Sequence, residues 1–159
     1  MDKYYYFVSQ LPLLIFGEKA YVGSENFLVE AQKWLSDKDL SAVLKVSIND
    51  FYTKGDDNKT LKKYKDFERS LREEIASFRS KGNQEIGFSN LNLREGTPLE
   101  TEQRLLLLRW KFIEELEEGH FFDLDILILY FLKLKVLERL LSFNKEKGIV
   151  RFDKLCEVA

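Results

Sequence analysis

The strongest pattern for chemistry surrounds the single histidine, Glu117-x-x-His120. A carboxylate and an imidazole three positions apart share one face of a helix, the spacing with which di-iron helical bundles hold their metal. Those centres need two such pairs, and this chain has no second histidine. Gly119 also falls inside the motif, where it ends a helix instead of continuing it. No metal is therefore expected. His120 reads instead as an interhelical histidine beside a solvated acidic face of Glu114, Glu115, Glu117 and Glu118.

Nucleophilic catalysis needs a serine or cysteine beside a base and an orienting group. His120 is the only candidate imidazole, no serine stands in an elbow motif, and the lone Cys156 reads as an incidental thiol. Asp56-Asp57-Asn58 lacks the glycine and the bidentate glutamate that complete a calcium loop, so it reads as a polar turn. Asp123 and Asp125 stand two apart at a helix start. They are expected to point in different directions, as cap and dipole partners and not as an acid–base pair. The glycines are scattered singly, which leaves no phosphate-binding loop. Lys59, Lys62, Lys63 and Lys65 are followed at once by Asp66, Glu68, Glu73 and Glu74, the mark of a solvated amphipathic face. The expectation is a protein that is no enzyme, with no catalytic residue and no cofactor.

The elements that position these residues read as helices. Their composition allows one core: 159 residues are 45% apolar, with 13 Phe, 7 Tyr and 2 Trp. At this size folding removes roughly 70% of the unfolded surface from water. Twenty-five basic residues face 27 acidic ones, and the signs alternate finely, so the basic surplus of a nucleic-acid binder is missing. One cysteine fits a reducing compartment. The opening apolar stretch is broken by Ser9, Gln10 and Pro12, unlike a secretory leader. The longest apolar run, Ile126 to Leu132, is seven residues, against the roughly 20 that a spanning helix needs. The expected protein is soluble and cytoplasmic, with no membrane span.

Along the chain, Tyr4 to Val8 predicts a short extended segment, with a first helical turn as the alternative, stopped where Pro12 pushes Leu11 out of helical geometry. Ser24 is the expected cap of a helix over about 25–35. Ser36 or Asp37 caps the next, whose stripe Leu40, Val43, Leu44, Ile48, Phe51 and Tyr52 carries it toward Gly55. Leu61, Tyr64, Phe67, Leu71, Ile75 and Phe78 recur at steps of three and four with charge between them, the pattern of a surface helix. Glycines and asparagines over 82–96 predict a flexible connection. Thr97-Pro98-Leu99-Glu100 is a capping box with proline at the first helical position, and its helix runs to Gly119. Asp123 to about Phe143 is the most apolar helix and the expected centre or partner face, and Ile149 to Val158 reads as a short helix or extended tail. The sum is an all-α, single bundle-like domain of five to six helices.

Two stretches carry a resemblance. Tyr4-Tyr5-Tyr6-Phe7-Val8-Ser9-Gln10-Leu11-Pro12-Leu13-Leu14, and the stretch from Trp110 through Gly119-His120-Phe121-Phe122 into the helix ending near Asn144-Lys145, resemble an uncharacterised bacterial family encoded within V-type ATP synthase operons. The resemblance implies a helical protein made beside the catalytic and stalk subunits. It stands where other such operons encode the C subunit that joins the rotating shaft to the membrane ring, and this chain would be a short counterpart of it. The implied function is a non-catalytic accessory, stalk or assembly subunit, contacting V-type ATP synthase subunits on the central-stalk or membrane-ring side and peripheral to the membrane through that complex. The alternative is a free-standing helical adaptor or a self-associating homo-oligomer that uses helix 123–143. Trp110, His120, Phe121 and Phe122 lie at a helix junction and are the candidate contact residues, with a place in the core as the competing role of each.

Overall fold

In the computed structural model, which describes residues 4–20, 22–81, 95–143 and 154–156, every regular element among the described residues is a helix. The order is α1 (Tyr5–Gln10), α2 (Ser24–Trp34), α3 (Asp37–Leu44), α4 (Lys59–Lys81), α5 (Pro98–Glu117) and α6 (Leu124–Leu141), with one further helical turn at 154–156. The fold is all-α, as the spacing predicts. The connection expected at 82–96 and the tail expected at 149–158 fall mostly outside the described residues.

The apolar helix is central. Leu127, Ile128, Leu129, Leu132, Leu134, Val136 and Leu137 of α6 are buried on nearly all sides, and α6 packs on α5 and also meets α2, α3 and α4. Each such side chain contributes about 1.5–3 kcal/mol of transfer free energy, which is why α6 organises the rest. Phe27 of α2 stacks on Tyr130 and Phe131 of α6 and lies tilted against Phe7 of α1. No helix among the described residues is long and apolar enough to cross a membrane.

Local signals set most helix ends. At α5, Glu100 N–H donates to Thr97 Oγ1 at 3.2 Å and Thr97 N–H donates to Glu100 Oε2 at 3.3 Å, which closes the expected capping box. Gly96 precedes it at φ +81°, and a Cβ there would run into the Glu100 carboxylate. Asp123 Oδ1 accepts from Ile126 N–H at 3.0 Å and starts α6.

Three expectations are corrected. Residues 5–10 are helical and not extended: Tyr4, Phe7, Val8 and Leu11 face inward at steps of three and four, while Tyr5 and Tyr6 face water. Pro12 still ends the helix, with Leu11 extended at φ −74°, ψ 129°. Helix α3 stops at Leu44, well before Tyr52. Ser47 Oγ accepts from Asn49 N–H and Asp50 Oδ1 from Tyr52 N–H, so short polar side chains offer the backbone a turn in place of the helix. Finally, Gly23 and not Ser24 is the N-cap of α2, without a side-chain cap. Ser24 N–H instead donates to Glu138 Oε1 of α6 at 2.9 Å, so a distant carboxylate satisfies that helix start.

Candidate functional site

The junction between α5 and α6 gathers the candidate residues. Helix α5 ends at Glu117, and His120 N–H donates to Glu117 O at 3.0 Å. Gly119 turns the chain at φ +83°, the left-handed region that favours glycine. His120, Phe121 and Phe122 follow before Asp123 caps α6.

Glu117 and His120 part company here. The Glu117 carboxylate accepts from Lys133 Nζ at 2.8 Å, and Glu114 lies 3.9 Å from the same ammonium. Lys133 in turn sits over the Trp110 ring at 5.0 Å, and Trp110 Nε1–H donates to Glu114 Oε1 at 2.8 Å. His120 faces the other way, with Nδ1 2.7 Å from Asp123 Oδ2 and 3.4 Å from Asp125 Oδ2. The two aspartates therefore converge instead of diverging, because the imidazole stands just outside the helix start, where both the cap and the first turn reach it.

Those three side chains could each offer one ligand to a metal ion, with the ligand atoms all within 4.8 Å of one another. Two features work against a cation. Asp123 has its second oxygen committed to the α6 cap, and the N-terminal end of a helix carries partial positive charge. The arrangement suits a charge-assisted hydrogen bond that fixes the imidazole. Asp125 Oδ1 is buried without a hydrogen-bond partner.

Trp110 is only 3% exposed and packs against Phe16 in the core. Phe122 is half-buried against Tyr5, with ring centroids 4.7 Å apart, and its carbonyl accepts from Tyr4 N–H at 3.1 Å, fastening α1 to the junction. Phe121 is 69% exposed. On α1, where Tyr5 packs on Phe122, the structure adds two rings whose residue type alone would place them in the core, Tyr5 at 50% and Tyr6 at 69% exposure, in edge contact with one another. The signal was present, since a helical reading of 4–11 leaves 5 and 6 on the outer face.

A cavity of about 200 Å³ opens at the same end of the bundle, lined by Val8, Leu11, Leu13, Ile126 and Tyr130 with the Glu117–Lys133 pair in its wall. Tyr130 O–H donates to Pro12 O at 2.7 Å, and burial pushes its pKa up to about 12.

A second ionic centre lies between α4 and α5. Glu68, fully buried, accepts from Arg109 Nε at 2.8 Å and a second Arg109 nitrogen at 2.9 Å, and from Arg72 Nε at 2.9 Å. Burial opposes the Arg109 charge, but the Glu68 carboxylate outweighs it and holds the guanidinium above its ordinary pKa. This centre is packed over by Tyr64, whose hydroxyl donates to Ile48 O at 3.1 Å and is pushed to higher pKa by burial.

A family model described as Protein of unknown function (DUF2764) matches residues 82–158, a span that includes α5, α6 and their junction. No curated protein and no solved structure matches the chain.

Proposed function

We propose that the chain is a non-catalytic accessory, stalk or assembly subunit of a bacterial V-type ATP synthase, a compact counterpart of the C subunit that works by holding other proteins. The observation that carries this reading is the exposure of large rings at and next to the α5–α6 junction, Phe121 within it and Tyr5, packed on Phe122, with Tyr6 on α1. Aromatic side chains are enriched at protein interfaces, where they supply large contact area at low entropic cost. The family match supports the reading by position, because it spans the later of the two stretches that resemble the operon-encoded family. The family's own function is unknown, so the match adds no activity.

The chemistry of the junction supports a contact role over a catalytic one. His120 is engaged by two carboxylates, and no serine or cysteine hydroxyl or thiol is hydrogen-bonded to it among the described residues. An imidazole held this way orients a loop. The protein would sit in the cytoplasm and reach the membrane only through the complex.

The test is affinity purification of the tagged protein from native membranes in mild detergent, with mass spectrometry of the proteins recovered alongside it. Near-stoichiometric stalk and ring subunits would make it a structural subunit, and substoichiometric recovery an assembly factor. Recovery of neither, under conditions that keep the ATP synthase intact, would overturn the assignment.

A further inference from the structure

The last turn of α5 breaks the rule that governs helix ends. Carbonyl ends there carry partial negative charge and favour cations, yet the turn holds Glu114, Glu115 and Glu117 with Glu118 at the cap, and no basic residue. Lys133 neutralises part of this from α6, through Glu117 at 2.8 Å and Glu114 at 3.9 Å. Glu115 and Glu118 are exposed and form no ion pair among the described residues. Beyond the turn, Asp123 and Asp125 share one imidazole. The exposed ring of Phe121 thus follows a helix end that carries more carboxylates than Lys133 answers, with Tyr5 packed on the neighbouring Phe122 and Tyr6 on Tyr5.

Resting on the reading of this end as a contact surface, we propose that its partner is a basic amphipathic helix. Its apolar side chains would cover Phe121, Tyr5 and Tyr6, one of them entering the cavity of about 200 Å³ beside Leu13 and Ile126. Its flanking lysines or arginines would meet Glu115 and Glu118. Such a partner completes the α5 terminus electrostatically while removing apolar surface from water, so the two observations favour one occupant. An anionic lipid surface is disfavoured by the same carboxylates, which would face headgroups of like charge.

The experiment titrates the full chain into a fluorescein-labelled 18-residue leucine–lysine peptide of helical amphipathic pattern and follows anisotropy. The controls are a scrambled peptide of equal composition and vesicles of phosphatidylcholine with phosphatidylserine. The patterned peptide should bind about tenfold more tightly than the scrambled one, the size of effect typical of one interface anchor. Phe121→Ser should remove that preference, and Glu115→Lys with Glu118→Lys should weaken both peptides at low salt. Both variants alter exposed side chains, and circular dichroism checks that they stay helical. Equal affinity for the two peptides, no binding, an unaltered preference in Phe121→Ser, or stronger attachment to vesicles would each overturn the proposal. The ATP synthase assignment fails separately. If Phe121→Ser still recovers the complex from membranes, this surface is wrong and the assignment stands. If the wild-type chain binds the patterned peptide but recovers no complex, the reverse holds.

Discussion

Replacing Arg109 by methionine should be among the most damaging single changes available to this fold. Glu68 is fully buried and held by two Arg109 nitrogens at 2.8 and 2.9 Å, with Arg72 adding a third contact at 2.9 Å. Methionine keeps the apolar stem but strands the carboxylate with Arg72, which is itself over a third exposed and can draw water in. Breaking a buried pair from one side costs about 3–5 kcal/mol. With a urea slope near 2 kcal/mol/M for a small protein, the midpoint should fall by about 1.5–2.5 M. The matching thermal shift is about 2–4 °C per kcal/mol for a chain of this size. Replacing both partners, Glu68→Leu with Arg109→Met, removes the stranded charge and should recover most of the loss, because well-packed apolar pairs often equal buried ion pairs. Urea unfolding of the wild type, both single variants and the double variant gives the coupling directly. A loss below about 1 kcal/mol in Arg109→Met, or a double variant no better than the worse single, would refute the reasoning.

Other contacts give further expected outcomes. Gly96→Ala places a Cβ against the Glu100 carboxylate at a positive φ and should cost about 1–2 kcal/mol through the lost capping box and left-handed strain, read as a lower urea midpoint. Tyr130→Phe deletes the hydroxyl that donates to Pro12 O at 2.7 Å and should cost about 1 kcal/mol, with amide exchange speeding up over 11–15 and not in α5. Burial tends to raise the Asp57 pKa, but bonds from Lys65 Nζ at 2.8 Å and Lys54 N–H outweigh it and hold the carboxyl below its ordinary 3.8. A depressed folded pKa contributes stability that is full above the unfolded value and is lost as pH falls through the folded one. Urea midpoints of the wild type should therefore drop below pH 3.8 more steeply than those of Asp57→Asn.

Helices α4, α5 and α6 were legible in the sequence because each carries its pattern on its own residues. The α4 stripe needs no knowledge of its neighbours, and Thr97, Pro98 and Glu100 specify the start of α5 within four positions. Where the deciding partner is remote, the signal fades. Ser24 looks like a cap, but its backbone is answered by Glu138, 114 positions away. Tyr4 to Val8 has the composition of a strand, but as a helix it docks Phe7 on Phe27 and Tyr4 N–H on Phe122 O, contacts remote in sequence. The stripe through Phe51 and Tyr52 has helical spacing, but the turns made by Ser47 and Asp50 outweigh it. At the junction, the sequence set His120 beside a solvated acidic face that included Glu117, yet Lys133 from the next helix claims that carboxylate and His120 meets Asp123 and Asp125.

The contrast between the two ionic centres bears on what the junction is for. Around Glu68, every charge is answered: the carboxylate has three donors, and the arginines close over it between α4 and α5. A sequence that can satisfy buried charge so completely has no structural need to crowd glutamates onto the wrong end of α5 or to leave Phe121 in water. Natural chains tend to keep local rules and break them at functional positions, where another molecule supplies the missing partner. The glutamates at the end of α5 and the exposed Phe121 ring both fall within residues 114–125, while the cap of α6 in the same stretch is formed by Asp123. The loop is thus held by its own hydrogen bonds, with Phe121 left uncovered on its outer face. A rigid frame with an unanswered surface favours association with little ordering cost, and a partner that brings cations and aliphatic side chains together would answer both departures at once.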